Sequence, residues 1–259
     1  MDLVLTPGQF QLVYNSFSFV VAAMLAAGLF FLLSRSQISA RHRPAVTLST
    51  LVVGIAGYHY LRIFGNWADS FTETAEGFVQ TATFNEGYRY ADWLLTVPLL
   101  LAELVLLLSL QRDRSRSLIT RLGVAAALMI ALGYPGEVAT DAGAKWVWWA
   151  AGMVPFVYIL WVLYGEFGKE LSRMTSRAAG LVRGMRTLLL ITWAVYPVAF
   201  LVPLFGLDAG TAEVIRQVGY SVADVVAKPV FGLMLFAAAR IMTQEEETMP
   251  TIELTTSDN

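Results

Sequence analysis

The chain has 259 residues, of which 56% are hydrophobic and 15% charged, and its formal net charge is −2. Soluble domains carry about 25% charged residues, so this composition excludes an ordinary water-soluble globule and points to a surface facing lipid. Cysteine is absent, which excludes disulfides and thiolate metal sites.

A membrane-crossing helix needs about 20 apolar residues. Seven such segments follow in chain order, at about Phe10 to Leu33, Ala45 to Trp67, Tyr88 to Leu110, Leu118 to Val138, Trp146 to Phe167, Met185 to Phe205 and Ala212 to Met242. The predicted fold is an all-α membrane protein, a seven-transmembrane helix bundle over residues 1–243. Residues 244–259 are polar and acidic and read as a disordered tail. The stretch before the first span lacks the basic region of a cleavable signal. The longest connection, Ala68 to Glu86, alternates over Phe78 to Thr83 as a short strand pair would.

Loop charge gives the orientation. The first–second loop carries Arg35, Arg41 and Arg43. The third–fourth carries Arg112, Arg114, Arg116 and Arg121, and the fifth–sixth carries Lys169, Arg173, Arg177, Arg183 and Arg186. The second–third loop has Asp69, Glu73, Glu76 and Glu86 and no base. Basic loops stay cytoplasmic, so the N-terminus is expected outside and the C-terminus inside.

A charge at the bilayer centre costs roughly 2.5–3.5 kcal/mol on insertion scales and marks a functional site by default. Lys228 lies among apolar turns with no interface to reach, and Asp224 precedes it by four residues on the same helix face. An amine at that depth is suited to form an imine with an aldehyde. Pro229 removes the backbone donor that would bond the Val225 carbonyl. In the third span, Arg89 lies one turn outward of Asp92 and Thr96 one turn inward. Glu103 follows Asp92 by eleven residues; eleven steps of 100° return to within about 20° of the same face, with a rise of roughly 16 Å. One outer and one inner carboxylate on one face suit a proton relay across a central site. The plainer reading of any single pair is an ion pair that locks helix packing.

These residues carry a resemblance. The run RYADWLLTVPLL from Arg89 to Leu100, with Glu103, resembles the third helix of microbial rhodopsins, in particular the proteorhodopsin and xanthorhodopsin branch. Asp224-Val225-Val226-Ala227-Lys228 resembles that family's retinal-binding helix, and Trp193-Ala194-Val195-Tyr196-Pro197 its sixth helix. Gly133-Tyr134-Pro135-Gly136-Glu137 is similar to the xanthorhodopsin group. The resemblance implies all-trans retinal bound to Lys228 as a protonated Schiff base and a light-driven outward proton pump. It makes Asp92 the primary counterion and proton acceptor, Asp224 the second counterion and Glu103 the proton donor, with Thr96 and Arg89 beside them. It pairs His59 with Asp92; from spacing alone His59 reads as a packing histidine. It places Trp93, Leu100, Met129, Gly133, Trp193, Tyr196 and Phe200 around retinal, with leucine at position 100 resembling green-absorbing forms.

Some relatives in this branch carry a carotenoid antenna beside a helix-five glycine. Trp149 stands at that position here, so no carotenoid antenna is expected. The resemblance further implies a multi-pass protein of the bacterial plasma (inner) membrane, a homo-oligomer (trimer or pentamer) in the lipid bilayer, H+ as the translocated ion, and neither nucleic acid nor metal. It assigns no proton-release group. A light sensor fits less well, because sensors lack an inner carboxylic donor. Chloride pumping wants a neutral residue in place of Asp92, and sodium pumping wants an asparagine and a glutamine in the triplet. A non-photoactive transporter or receptor leaves the Lys228–Asp224 pair without a purpose.

Overall fold

The structure, a computed structural model, describes residues 3–171 and 174–248. Six helices precede the last span: α1 (Pro7–Ser34), α2 (Arg43–Ser70), α3 (Gly87–Leu107), α4 (Arg112–Glu137), α5 (Ala142–Leu171) and α6 (Ser176–Leu201). The seventh span is continuous from Ala209 to Thr248. It consists of α7 (Ala209–Val225), a π turn (Val226–Val230) and α8 (Phe231–Thr248). Among the described residues, seven helical spans are long and apolar enough to cross a membrane.

Local chemistry sets where several helices begin. Thr6 and Gln9 form a reciprocal capping box ahead of α1, with Pro7 in the first turn. Asp208 accepts from Thr211 N at 2.8 Å to open α7. The π turn falls on Pro229. Proline offers no N–H and crowds the carbonyl four residues back. The turn widens by one residue, and Phe231 N–H bonds back to the Val226 carbonyl.

Each helix packs on the next in sequence, and contacts between α1 and α7 close the ring. α3 is the most enclosed span, which places Arg89, Asp92, Thr96 and Glu103 in the interior. The outer faces are apolar: Phe19, Leu33, Val154 and Trp161 are exposed, as lipid-facing side chains are.

One end of the bundle carries a small antiparallel sheet in the order β1-β3-β2, formed by β1 (Val4–Leu5), β2 (Phe71–Thr74) and β3 (Gly77–Gln80). Glu73 faces Phe78 and Leu5 faces Phe78 across the two pairings. Gly77 closes the hairpin at φ 124°, where an added Cβ would stand 2.5 Å from the Leu5 carbonyl oxygen. The Phe78 ring stacks on Phe10 at 4.0 Å, tying the sheet to α1. The strand pair thus begins at Phe71, seven residues before the alternation that suggested it, and it recruits β1 from the N-terminal segment.

The opposite end departs from expectation at the last span. α8 runs through Thr248, into the segment read as a tail from Gln244. Thr243 Oγ1 accepts from Ser39 N at 3.0 Å, and Glu246 lies 3.3 Å from His42 Nε2. These contacts with the α1–α2 loop hold the added turn. The expected tail beyond Thr248 lies outside the described residues.

Candidate functional site

Lys228 sits on the π turn, buried, with its ammonium aimed at α3. Its Nζ donates to Asp92 Oδ2 at 2.8 Å and to Asp224 Oδ1 at 2.6 Å. A cation removed from water needs such partners to offset its desolvation. The two carboxylates differ in how fully they are used. Asp224 also accepts from Tyr60 OH at 2.6 Å, Tyr196 OH at 2.7 Å and Trp93 Nε1 at 3.2 Å. Asp92 has Lys228 as its side-chain donor, and its Oδ1 makes no protein hydrogen bond. Asp92 therefore keeps a free oxygen where a proton could land; Asp224 does not.

Thr96 Oγ1 bonds the Asp92 backbone carbonyl at 2.9 Å, which ties the hydroxyl to the helix rather than to the carboxylate. Arg89 does not reach Asp92. It donates to Tyr60 OH at 2.9 Å and to Gln217 Oε1 at 2.6 Å, so it supports Asp224 through the tyrosine. Glu103 lies buried about three turns beyond Asp92 along α3, where Ser49 Oγ donates to its Oε2 at 2.7 Å.

The expected His59–Asp92 hydrogen bond is not formed. His59 Nδ1 and Asp92 Oδ1 are both buried without a hydrogen-bond partner. The Lys228 ammonium draws the other Asp92 oxygen toward the seventh span, and on α2 the inward position belongs to Tyr60, which is fully buried while His59 is half-buried.

An apolar cavity opens from Lys228 between α3, α4, α5 and α6. Trp93, Leu100, Met129, Gly133, Trp193, Tyr196 and Phe200 all line it, so the structure brings together each residue expected around the cofactor. Gly133 forms a cradle: a Cβ there would meet the Tyr90 ring at 3.3 Å. The space is apolar, and its lining includes the Lys228 amine and the indoles of Trp93 and Trp193. Those features fit a polyene aldehyde bound through Lys228. Trp149 also lines the cavity, and its Nε1 donates to the Pro197 carbonyl at 3.0 Å, bridging α5 to α6.

Several residues of the site were not singled out from the sequence. Tyr60, Ser49, Gln217 and Tyr220 belong to it. A signal existed for two of them. Gln217, Tyr220, Asp224 and Lys228 recur at three- and four-residue steps, which is one face of a helix. Tyr60 and Ser49 carried no such signal, because their partners lie on other helices.

Comparison with known proteins agrees with this geometry. Residues 11–242 match the family model described as bacteriorhodopsin-like protein. A green-light absorbing proteorhodopsin of Gamma-proteobacterium EBAC31A08 is 33% identical over 225 residues, covering 86% of this chain and 85% of its own length. A blue-light absorbing proteorhodopsin of Gamma-proteobacterium Hot 75m4 is 34% identical over 228 residues, covering 86% and 84%. The crystal structure of xanthorhodopsin, described as a light-driven ion pump with dual chromophore, superposes with a TM-score of 0.90 at 42% identity, covering 95% of this chain and 99% of that one. The crystal structure of a thermophilic rhodopsin gives 0.90 at 45% identity, with coverage of 95% and 99%. With a buried lysine between two aspartates, an indole-lined cavity and a match across nearly every span, this chain belongs to the bacteriorhodopsin-like family of seven-helix membrane proteins.

Proposed function

We propose that the chain is a light-driven outward proton pump with retinal held on Lys228. The observation that carries this reading is the placement of Lys228 Nζ within 2.8 Å of Asp92 and 2.6 Å of Asp224 in the lining of the apolar cavity. When bound, retinal supplies a light-driven change of shape beside the lysine nitrogen. The protein supplies everything else. Trp93, Trp193 and Tyr196 hold the polyene, and the buried walls keep water from the nitrogen. Asp92 Oδ1, free of other donors, takes the proton that leaves the nitrogen; Asp224, held by four donors, stays ionised as its partner. Glu103, on the far side of the site and oriented by Ser49, returns a proton to the nitrogen.

Direction follows from topology. The loop charges put the sheet end outside and the α1–α2 loop inside. Asp92 then lies on the outer side of Lys228 and Glu103 on the inner side. Leu100, fully buried in the cavity wall, supports green absorption. Identity alone does not separate the colours, since green and blue relatives score 33% and 34%. The Trp149 indole, bonded across to α6, supports the absence of a carotenoid antenna. Placement in a bacterial plasma membrane and assembly into a trimeric or pentameric ring complete the proposal.

The test is illumination of retinal-loaded cells in unbuffered medium. Acidification abolished by a protonophore supports the pump. No pH change, with slow recovery of the dark absorption, would instead favour a sensor.

A further inference from the structure

The ring of helices has one loose seam. α5 and α6 are neighbours in the chain, yet they touch less than any other adjacent pair of helices in the ring. Toward its inner end this seam holds Arg186, one of the bases whose charge gave the bundle its orientation. Glu166, at the same end of α5, pairs with Arg121 and Arg114 of α4. Leu163 and Tyr164, which Arg186 touches, stand less than one turn from Glu166 toward the membrane centre. With the basic loops inside, Arg186 lies where the inner headgroups meet the hydrocarbon.

Arg186 bridges the two helices. Its NH1 donates to the Leu163 carbonyl at 3.1 Å. Its guanidinium lies over the Tyr164 ring at 5.0 Å, and Tyr164 OH donates to the Arg186 carbonyl at 3.2 Å. These contacts place the side chain without neutralising it. Arg121 takes both oxygens of Glu166. Arg186 has no such partner. Among the described residues, the Leu163 carbonyl is its one hydrogen-bond acceptor, and its Nε is buried with none. A guanidinium offers five N–H donors, so most of its capacity is unused. Arg183, exposed and one turn away on α6, adds a second positive charge on the same face.

A cation at the edge of a low-dielectric medium needs an anion to offset its desolvation. The seam leaves room for one. Gly165 has open space where a side chain would stand, and a Cβ on Gly168 would sit at 3.9 Å from Arg186 NH1, an ordinary contact. The inner leaflet supplies a matching group. Phosphate oxygens accept paired N–H donors from arginine, and basic pockets between spans on the cytoplasmic side take anionic headgroups.

We propose that the α5–α6 seam at Arg186 binds one anionic phospholipid of the inner leaflet, through its phosphodiester on Arg186 and Arg183. Because Arg186 already joins α5 to α6, the bound lipid reinforces the seam where protein contacts are sparse. The proposal goes beyond the pumping reading and does not depend on it.

The test titrates the full-length protein in neutral detergent with phosphatidylglycerol, phosphatidylcholine or inorganic phosphate. Native mass spectrometry reads the bound lipid, and thermal unfolding reads its effect. The wild type should retain one phosphatidylglycerol in preference to phosphatidylcholine and unfold at a higher temperature with it. Arg186→Gln should weaken that retention about fivefold, the effect of removing one cation at an anionic surface. Gly168→Glu places a carboxylate beside the guanidinium and should displace the lipid with Arg186 intact, so it decides the matter even where Arg186→Gln does not fold. Arg116→Gln, which removes an exposed charge of α4 at the same end, should retain the lipid as the wild type does. Equal retention in wild type, Arg186→Gln and Gly168→Glu would overturn the site. An equal loss in Arg116→Gln would reduce it to general charge, and equal stabilisation by inorganic phosphate would replace the lipid by a free anion; either result overturns the proposal.

Discussion

Ser49 on α2 donates its hydroxyl to Glu103 Oε2 on α3 across 2.7 Å, while Glu103 Oε1 is buried without a hydrogen-bond partner. The serine fixes the rotamer of the carboxyl and leaves one oxygen free to exchange a proton. Replacing Glu103 by Gln removes the exchangeable proton at constant shape. Reprotonation of the Lys228 nitrogen should slow about 10²-fold or more, as for loss of a positioned acid. Flash spectroscopy of the purified protein measures this directly, and unchanged kinetics would remove Glu103 from the donor role. Ser49→Ala should slow the same step by less, because the carboxyl remains but loses its orientation.

The lysine can be separated from its charge. Lys228→Ala leaves Asp92 and Asp224 facing each other without a cation, at a cost of roughly 3–5 kcal/mol for a broken buried pair. Lys228→Arg keeps the cation and removes the amine. Both variants should stay colourless when all-trans retinal is added, and the arginine variant should retain more of its thermal stability. A visible absorption band from Lys228→Arg would mean that retinal is not linked at this residue.

Trp149 permits a gain-of-function test. The indole lines the cavity and bonds the Pro197 carbonyl at 3.0 Å. The wild type mixed with a hydroxylated carotenoid should show no energy transfer to retinal in its excitation spectrum. Trp149→Gly should open the wall between α5 and α6 and allow transfer. Because Trp149 is only partly buried, its loss should cost less than the roughly 3–5 kcal/mol of a core tryptophan. Transfer in the wild type would refute the closed window.

The other end of the bundle carries a pH-dependent clasp. His42, in the loop before α2, is buried, faces Ser109 Oγ at 3.2 Å, and lies 3.3 Å from Glu246. Burial holds its imidazole below the ordinary value of 6.5, and Arg41 acts in the same direction against the pull of Glu246. The folded state therefore prefers the neutral ring. Its contribution is complete above 6.5 and fades as the pH falls from there toward the folded value, because the unfolded chain binds the proton first. Melting curves of wild type and His42→Asn should converge as the pH drops from about 7 to about 5. A constant gap between them would rule the clasp out as the titrating element.

The seven spans were legible because hydropathy acts over whole windows and lipid-facing helices must be apolar. α6 nevertheless starts at Ser176, nine residues before the span expected from Met185, and α8 continues past Met242. These extensions mix polar and apolar residues, so no run of hydropathy marks them. The sheet was half legible: the Phe78 alternation showed, but pairing with Val4–Leu5 joins segments some seventy residues apart. At the site, Asp92, Asp224 and Lys228 were marked by the cost of charge at that depth. Tyr60 and Gln217 are uncharged and carried no such mark, although they decide where Arg89 points.

The sequence by itself determined the number of spans, the buried lysine, and the helix face shared by Asp92 and Glu103. Each of these follows from composition or from the 3.6-residue period within one helix. Only the tertiary structure decided which partner each charge takes. It gave Arg89 to Tyr60 and Gln217 rather than Asp92, left His59 apart from Asp92, and gathered Glu86, Glu137 and Glu213 around Arg216. Those pairings cross between helices, where distance depends on how the bundle packs, and the spacing within any one helix does not encode it.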